Sequence, residues 1–310
     1  MTRRTGLAAL IGFVTLAGIG LSAANQARDL RTPQAVVDEL LAADRTFAAA
    51  AARTDVPGAL GPMLAADVVF GPVPGSRFAR GHEEAVASLR ANPDNAGARL
   101  EWAPVRGGIS ADGQQGFTFG FMTLHQADGT AVPIKYMAYW IRQPVGWRAV
   151  AYKRGRRPAG EVSLAMMPAA LPDRLVAIST DPATLAGHQR SLDQAERDFS
   201  DEAQHIGLGA AFAKWGSEDA VNMGGPDSPG YLVGAAAIGA SIGTGSPGTT
   251  SPLFWAPESV IVASSGDLGI TIGRIRPHAP AADGIPAAGV PFFTIWRRAG
   301  PGAPWRYIAE

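Results

Sequence analysis

Two acidic side chains stand where a helix turns its apolar stripe inward. Asp44 follows Leu40 by four residues and precedes Phe47 by three, and Glu196 has the same relation to Leu192 and Phe199. At helical spacing each carboxylate shares the inward face with those neighbours. Removing a carboxylate from water raises its pKa unless it is paired, and that is how a proton-transferring base is made. The other use of a buried acid is to accept hydrogen bonds from indole, phenol or guanidinium groups of the same core, and Trp102 and Trp255 are natural donors. As a general base Asp44 would need a group to hold a developing oxyanion, a role open to Tyr136 or Lys135. Strand alternation puts Lys135 and Tyr139 on one face and Tyr136 with Trp140 on the other, without saying which face is inside. His125 completes the polar candidates of the first half, so the expected ligand-binding set is Asp44, Trp102, His125, Tyr136 and Tyr139, with Glu196 and Trp255 in the second half.

Other chemistries are poorly served. The chain has no cysteine, which removes disulfides, thiol nucleophiles and thiolate metal sites together. No two of the five histidines (His82, His125, His188, His205, His278) lie at an i, i+4 or H-x-H spacing, so neither metal nor cofactor is expected. His82, next to Gly81 at a helix start, reads as a surface or capping residue. Gly239-Ala-Ser241-Ile-Gly243 has the letters of a nucleophile elbow, but it falls in a helix and not in a strand-to-helix turn. The glycines from Gly243 to Gly248 lack the lysine and spacing of a phosphate loop. Lys153, Arg154, Arg156 and Arg157 form a short basic cluster, read as solvated linker and not as a nucleic-acid site. Net charge is zero but unevenly placed: residues 25–157 carry 16 basic against 12 acidic residues, residues 186–310 carry 8 against 12, so the halves are +4 and −4 and can attract each other.

The elements that must position these groups occur twice. Leu100 to Phe121 aligns without a gap on Leu253 to Arg274 with eight identities in 22 positions, both stretches reading W-A-P and then G-x-x-G-x-T-x-G. The offset drifts from 152 at Asp44/Glu196 to 158 at Trp147/Trp305, which marks a duplication. Each copy opens with a helix, the first capped by Thr32 with Pro33 at its first position. A short helical stretch, a strand over Asp67–Phe70 or Asp219–Asn222, and a helix from Gly81 or Gly234 follow. The remainder is strand-like and ends on Trp147-Arg148 or Trp305-Arg306. Helices first and strands afterwards predicts α+β with an antiparallel sheet. Asp44 has tyrosines and a lysine to work with, whereas the second copy has Pro291, Phe292 and Ile295 in place of Lys135, Tyr136 and Tyr139, so the first copy is the expected site.

Arg3 and Arg4, the apolar run Leu7 to Leu21 and Ser22-Ala23-Ala24 read as an export signal over residues 1–24, making the mature protein periplasmic or secreted, or membrane-anchored where the signal stays uncleaved. The remainder divides into a first domain over 25–157, a proline-bearing linker over 158–185 and a second domain over 186–310.

Gly81, Trp102, Gly113, Gly116, Thr118, Gly120, Trp140, Trp147 and Arg148, with Gly234, Trp255, Gly266, Asp267, Gly269, Thr271, Gly273, Trp296, Arg297, Trp305 and Arg306 in the second copy, make the chain resemble the nuclear-transport-factor-2-like superfamily, in its SnoaL-type branch. The resemblance implies two tandem cystatin-like cones, each with about three helices closing a strongly bent sheet over an apolar pocket. It also implies sheet-to-sheet pairing, which a tandem chain can satisfy internally. The superfamily hosts isomerases, cyclases and dehydratases as well as proteins with no chemistry, so fold does not decide function. The expectation is an exported protein that binds a small apolar molecule in its first cone. A cofactor-free isomerase, cyclase or dehydratase with Asp44 as base is the alternative, and a structural or protein-interaction module is a third reading, favoured where both cones are filled by their own aromatics.

Overall fold

The computed structural model describes residues 31–73, 77–225, 227–278 and 288–310. The export signal read over residues 1–24 lies outside them. No helix among the described residues is long and apolar enough to cross a membrane.

The first half runs α1 (Pro33–Ala51), α2 (Val56–Leu60), β1 (Leu64–Val73), β2 (Arg77–Arg80), α3 (His82–Ala91), β3 (Arg99–Ile109), β4 (Gln115–His125), β5 (Ala131–Gln143) and β6 (Gly146–Arg156). The second repeats it with α4 (Pro182–Ile206), α5 (Leu208–Trp215), β7 (Gly216–Asn222), β8 (Leu232–Val233), α6 (Ala235–Gly245), β9 (Leu253–Val262), β10 (Leu268–Pro277), β11 (Val290–Arg297) and β12 (Arg306–Ala309). Strand order is β2-β1-β6-β5-β4-β3 in one six-stranded sheet and β8-β7-β12-β11-β10-β9 in the other. The α+β architecture expected from the sequence is therefore present twice with one topology. Each sheet also holds one parallel pair, β1 with β6 and β7 with β12, because the last strand returns beside the first.

Local chemistry explains the repeated motif. Thr32 accepts from the Ala35 N–H and Asp181 from the Thr184 N–H, with Pro33 and Pro182 opening α1 and α4. Helix α4 thus begins inside the segment read as linker. Gly113 and Gly266 have φ of 65° and 69°, the left-handed conformation needed at the equivalent turns before β4 and β10. Gly116 and Gly269 lie under the helices, where an added Cβ would stand 2.6 Å from Leu40 Cδ2 and 2.6 Å from Leu192 Cδ2. Gly120 and Gly273 face the bulges at Pro104–Arg106 and Pro257–Ser259, and a Cβ there would strike the carbonyl of Ala103 or Ala256. The elbow-like letters serve helix packing instead: an added Cβ at Gly209 of α5 would stand 2.6 Å from the Gly239 carbonyl oxygen and 2.6 Å from Gly243 Cα.

Each helix layer closes the concave face of its own sheet, and the convex faces meet in one shared core. Phe117, Phe119, Met137, Tyr139 and Val150 pack there with Leu268, Ile270, Ile272, Phe293 and Ile295. Its rim is polar and reciprocal. Ser264 Oγ donates to Asp112 Oδ2 (2.8 Å) and the Ala111 N–H to Asp267 (3.1 Å), joining equivalent turns. The buried Arg106 donates to the Pro168 carbonyl (2.9 Å), the Asp219 carbonyl (2.6 Å) and the Asp219 carboxylate.

The segment between the halves is fixed, not a free tether: Ala170 forms a parallel bridge to Gly108, and the Met167 N–H donates to the Val105 carbonyl (2.7 Å), covering the β3 edge. The basic cluster is likewise not solvated as a whole. Lys153 and Arg154 belong to β6; Lys153 reaches the Phe293 carbonyl across the interface (3.1 Å) and Arg154 donates to Asn95 Oδ1 (3.2 Å).

Candidate functional site

Helix α1 delivers Asp44 to the first cone with 0% exposure. Trp102 Nε1 of β3 donates to Oδ1 (2.8 Å) and the Tyr136 hydroxyl of β5 to Oδ2 (2.9 Å). Behind them Trp140 Nε1 donates to Thr118 Oγ1 (2.9 Å). Burial raises the Asp44 pKa and outweighs the opposing hydrogen bonds from Trp102, Thr118 and Tyr136; burial, then the Asp44 charge, raises Tyr136 well above the ordinary phenol value.

Helix α4 delivers Glu196 to the second cone, again with 0% exposure. Trp255 Nε1 donates to Oε1 (2.6 Å), while Oε2 accepts from Trp296 Nε1 (2.9 Å) and the Thr271 hydroxyl. Burial pushes this acid up to about 7 against those three donors. The longer glutamate reaches the Thr and Trp deeper in the sheet, so the phenol that serves Asp44 is dispensable and Phe292 occupies its place. W-A-P and G-x-x-G-x-T-x-G are thus a clasp: the Trp supplies a donor to the acid, the Thr stands beside it, and the glycines let helix and sheet approach.

Of the site residues expected from sequence, Asp44, Trp102 and Tyr136 converge, and Glu196 and Trp255 converge separately. Lys135 does not join them. It lies on the opposite face of β5, where its ammonium donates to the carbonyls of Ser228 (2.7 Å), Gly230 (3.1 Å) and Met223, so it cannot stabilise an oxyanion beside Asp44. Tyr139 shares that convex face and donates to Gln115 Oε1 (2.7 Å) within the shared core. His125 ends β4 in solvent, 3.4 Å from Glu101 Oε2, outside the cone. His82 Nε2 meets the Gly61 carbonyl (3.1 Å), a structural contact at the start of α3.

The two interiors differ in filling. In the first, Phe70, Tyr136 and Tyr152 stack with centroids 5.4 and 6.2 Å apart and close the space beside Asp44. A cavity of about 160 Å³ at the mouth, walled by Leu89, Asn95, Leu124, Ile134 and Arg154 among others, stops at Phe70 and does not include Asp44, Trp102 or Tyr136 in its lining. In the second, the equivalents of Phe70, Tyr136 and Tyr152 are Asn222, Phe292 and Glu310. A cavity of about 160 Å³ opens there, lined by Leu208, Phe212, Ile242, Leu253, Ile275, Trp255, Phe292 and Glu310. It reaches Trp255, the donor to Glu196.

Glu310 escaped the sequence reading. The signal was available in the offset of 158 that aligns Trp147 with Trp305, because it also aligns Tyr152 with Glu310. The Glu310 N–H donates to the Val221 carbonyl (3.0 Å) and its carbonyl accepts from Met223 (2.9 Å), turning the side chain into the cone. Burial pushes its carboxyl up to about 7, opposed by Lys153 and a bond from Asn222.

Two α+β cones joined through their convex sheets, each holding a clasped acid, define the class of protein. No protein-family model and no curated protein matches the sequence. Among solved structures the chain is similar to an NTF2-like protein with a cystatin-like fold from Novosphingobium aromaticivorans, at 16% identity and TM-score 0.30 over 46% of this chain and 90% of that one. It is also similar to a ketosteroid isomerase-like protein from Erwinia carotovora atroseptica (15%, TM-score 0.31, 38% and 95%) and an NTF2-like protein of unknown function from Shewanella oneidensis (12%, TM-score 0.31, 38% and 96%).

Proposed function

We propose that this is an exported, non-catalytic protein that binds a small apolar molecule in its second cone, with the first cone as a filled scaffold and internal partner. The observation that carries the reading is the cavity of about 160 Å³ walled by Leu208, Phe212, Ile242, Trp255 and Phe292. An apolar cavity of about 150 Å³ is enough to hold a benzene-sized ligand. Catalysis by Asp44 is not favoured, since both its oxygens are engaged and it has no exposed surface. Export rests on the basic and apolar pattern of residues 1–24, and the mass of the mature chain tests it. Benzene titrated into the full chain, followed by Trp fluorescence, should saturate. The double substitution Asn222→Phe with Glu310→Tyr, which restores the aromatic filling of the first cone, should abolish binding without loss of stability. Unchanged benzene affinity in that variant would refute the assignment. The internal pairing of sheets also predicts a monomer in sedimentation; a strong dimer would count against it.

A further inference from the structure

We infer that the second cone takes a small organic ammonium ion, its hydrocarbon part among Phe212, Trp255 and Phe292 and its N–H on Glu310 Oε2; this assignment rests on the cavity being the ligand site. Glu310 lines the cavity, and its Oε2 is buried without a hydrogen-bond partner among the described residues. A carboxylate oxygen withdrawn from water and left unmatched is costly, so a ligand that brings a donor to Oε2 gains that hydrogen bond. The flanking backbone is tied to Val221 and Met223, which holds the carboxyl at the cavity wall.

The charges around it point the same way. Glu196 lies in the same cone and its charge disfavours ionisation of Glu310. Lys153 acts on Glu310 from the other sheet, but its ammonium is committed to the Phe293 carbonyl (3.1 Å) and stands 4.4 Å from the centroid of the Phe293 ring. Two acids therefore face one committed cation, and a cationic guest offsets the excess. Aromatic faces attract ammonium groups, and the cavity offers three aromatic residues around its one carboxylate. A neutral hydrocarbon leaves Oε2 unmatched, and an anion adds repulsion. The volume limits the guest to about six non-hydrogen atoms, the size of benzene.

Cyclopentylammonium, cyclopentanol and methylcyclopentane share this size and differ in charge and donor. With the full chain at pH 8, competition titrations read by Trp fluorescence should give cyclopentylammonium at least about a tenfold tighter Kd than methylcyclopentane, a difference of about 1.4 kcal/mol. Cyclopentanol should fall between them. Glu310→Gln should bring the preference below about twofold, with a far-UV circular dichroism spectrum and a urea midpoint reporting that the variant is folded. Equal affinities, a preference for cyclopentanol, or a preference that survives in Glu310→Gln would overturn the ammonium assignment and leave the cavity standing. Failure of all three probes to bind would overturn the cavity reading as well.

Discussion

Replacing Asp44 by alanine separates a structural acid from a functional one. The substitution leaves Trp102 Nε1 and the Tyr136 hydroxyl without their acceptor in a fully buried site. Each orphaned donor costs about 1–3 kcal/mol, so the pair costs about 2–6 kcal/mol, a large part of the roughly 5–15 kcal/mol that holds a domain folded. Asp44→Asn should be milder, because the amide oxygen still accepts from Trp102 and the Tyr136 oxygen can accept from the amide nitrogen. The orphaned phenol also predicts coupling: in Asp44→Ala with Tyr136→Phe one unmatched donor disappears, and the double variant should be more stable than the sum of the single effects by about 1 kcal/mol or more. Urea denaturation followed by Trp fluorescence measures the wild type, Asp44→Ala, Asp44→Asn, Tyr136→Phe and the double variant. A cost below about 1 kcal/mol for Asp44→Ala, or strict additivity, would refute the clasp and return Asp44 to the role of a base or ligand contact.

Two further outcomes follow from the same geometry. Glu196 is pushed from 4.5 to about 7 in the fold, so the native state holds its proton more tightly than the unfolded chain. Its stabilisation is complete below about pH 4.5 and is lost as pH rises through about 7, with a slope of about 1.4 kcal/mol per pH unit inside that window; Glu310 has the same sign. Urea midpoints should fall between pH 5 and pH 8 and fall less in Glu196→Gln; a wild-type midpoint that rises over this range would contradict the shift. Gly120→Ala presses a methyl group onto the Ala103 carbonyl, a backbone atom fixed by the bulge, and should cost about 1–3 kcal/mol by thermal unfolding, whereas alanine at Gly300, which has no atom within 4 Å of an added Cβ, should change stability by less than about 0.5 kcal/mol.

Local pattern carried most of the architecture. Helical spacing alone turns Asp44 and Glu196 inward, and the ordered W-A-P and G-x-x-G-x-T-x-G matches announce the duplication, because both reflect contacts that only those residue types can make. What sequence left open is tertiary. Strand alternation separates Lys135 from Tyr136 but cannot tell the concave face from the convex one, since in a doubled fold both faces are buried and both read as apolar. Lys135 looked like active-site chemistry because an ammonium inside a sheet is costly; its compensation comes from carbonyls near residues 223–230, which no local spacing links to it. Glu310 is hidden from periodicity for the complementary reason, as a lone acid after the last strand has none, and only the offset of 158 that pairs it with Tyr152 points to it.

The two copies of the duplication differ in what fills the space beside the clasped acid. In the first copy Phe70 and Tyr152 are cross-strand partners on the parallel pair β1–β6 and stack against Tyr136. The aligned pair in the second copy, Asn222 and Glu310, carries no ring, and Glu310 lines the cavity that opens there. The clasped acid needs neither arrangement. It is satisfied by Trp102 and Tyr136 in one copy and by Trp255, Thr271 and Trp296 in the other, so the residues that fill the space can change while those that hold the helix to the sheet stay. Polarity at the aromatic trio, and not the buried carboxylate that first draws the eye, is therefore what distinguishes a filled cone from one with room for a guest.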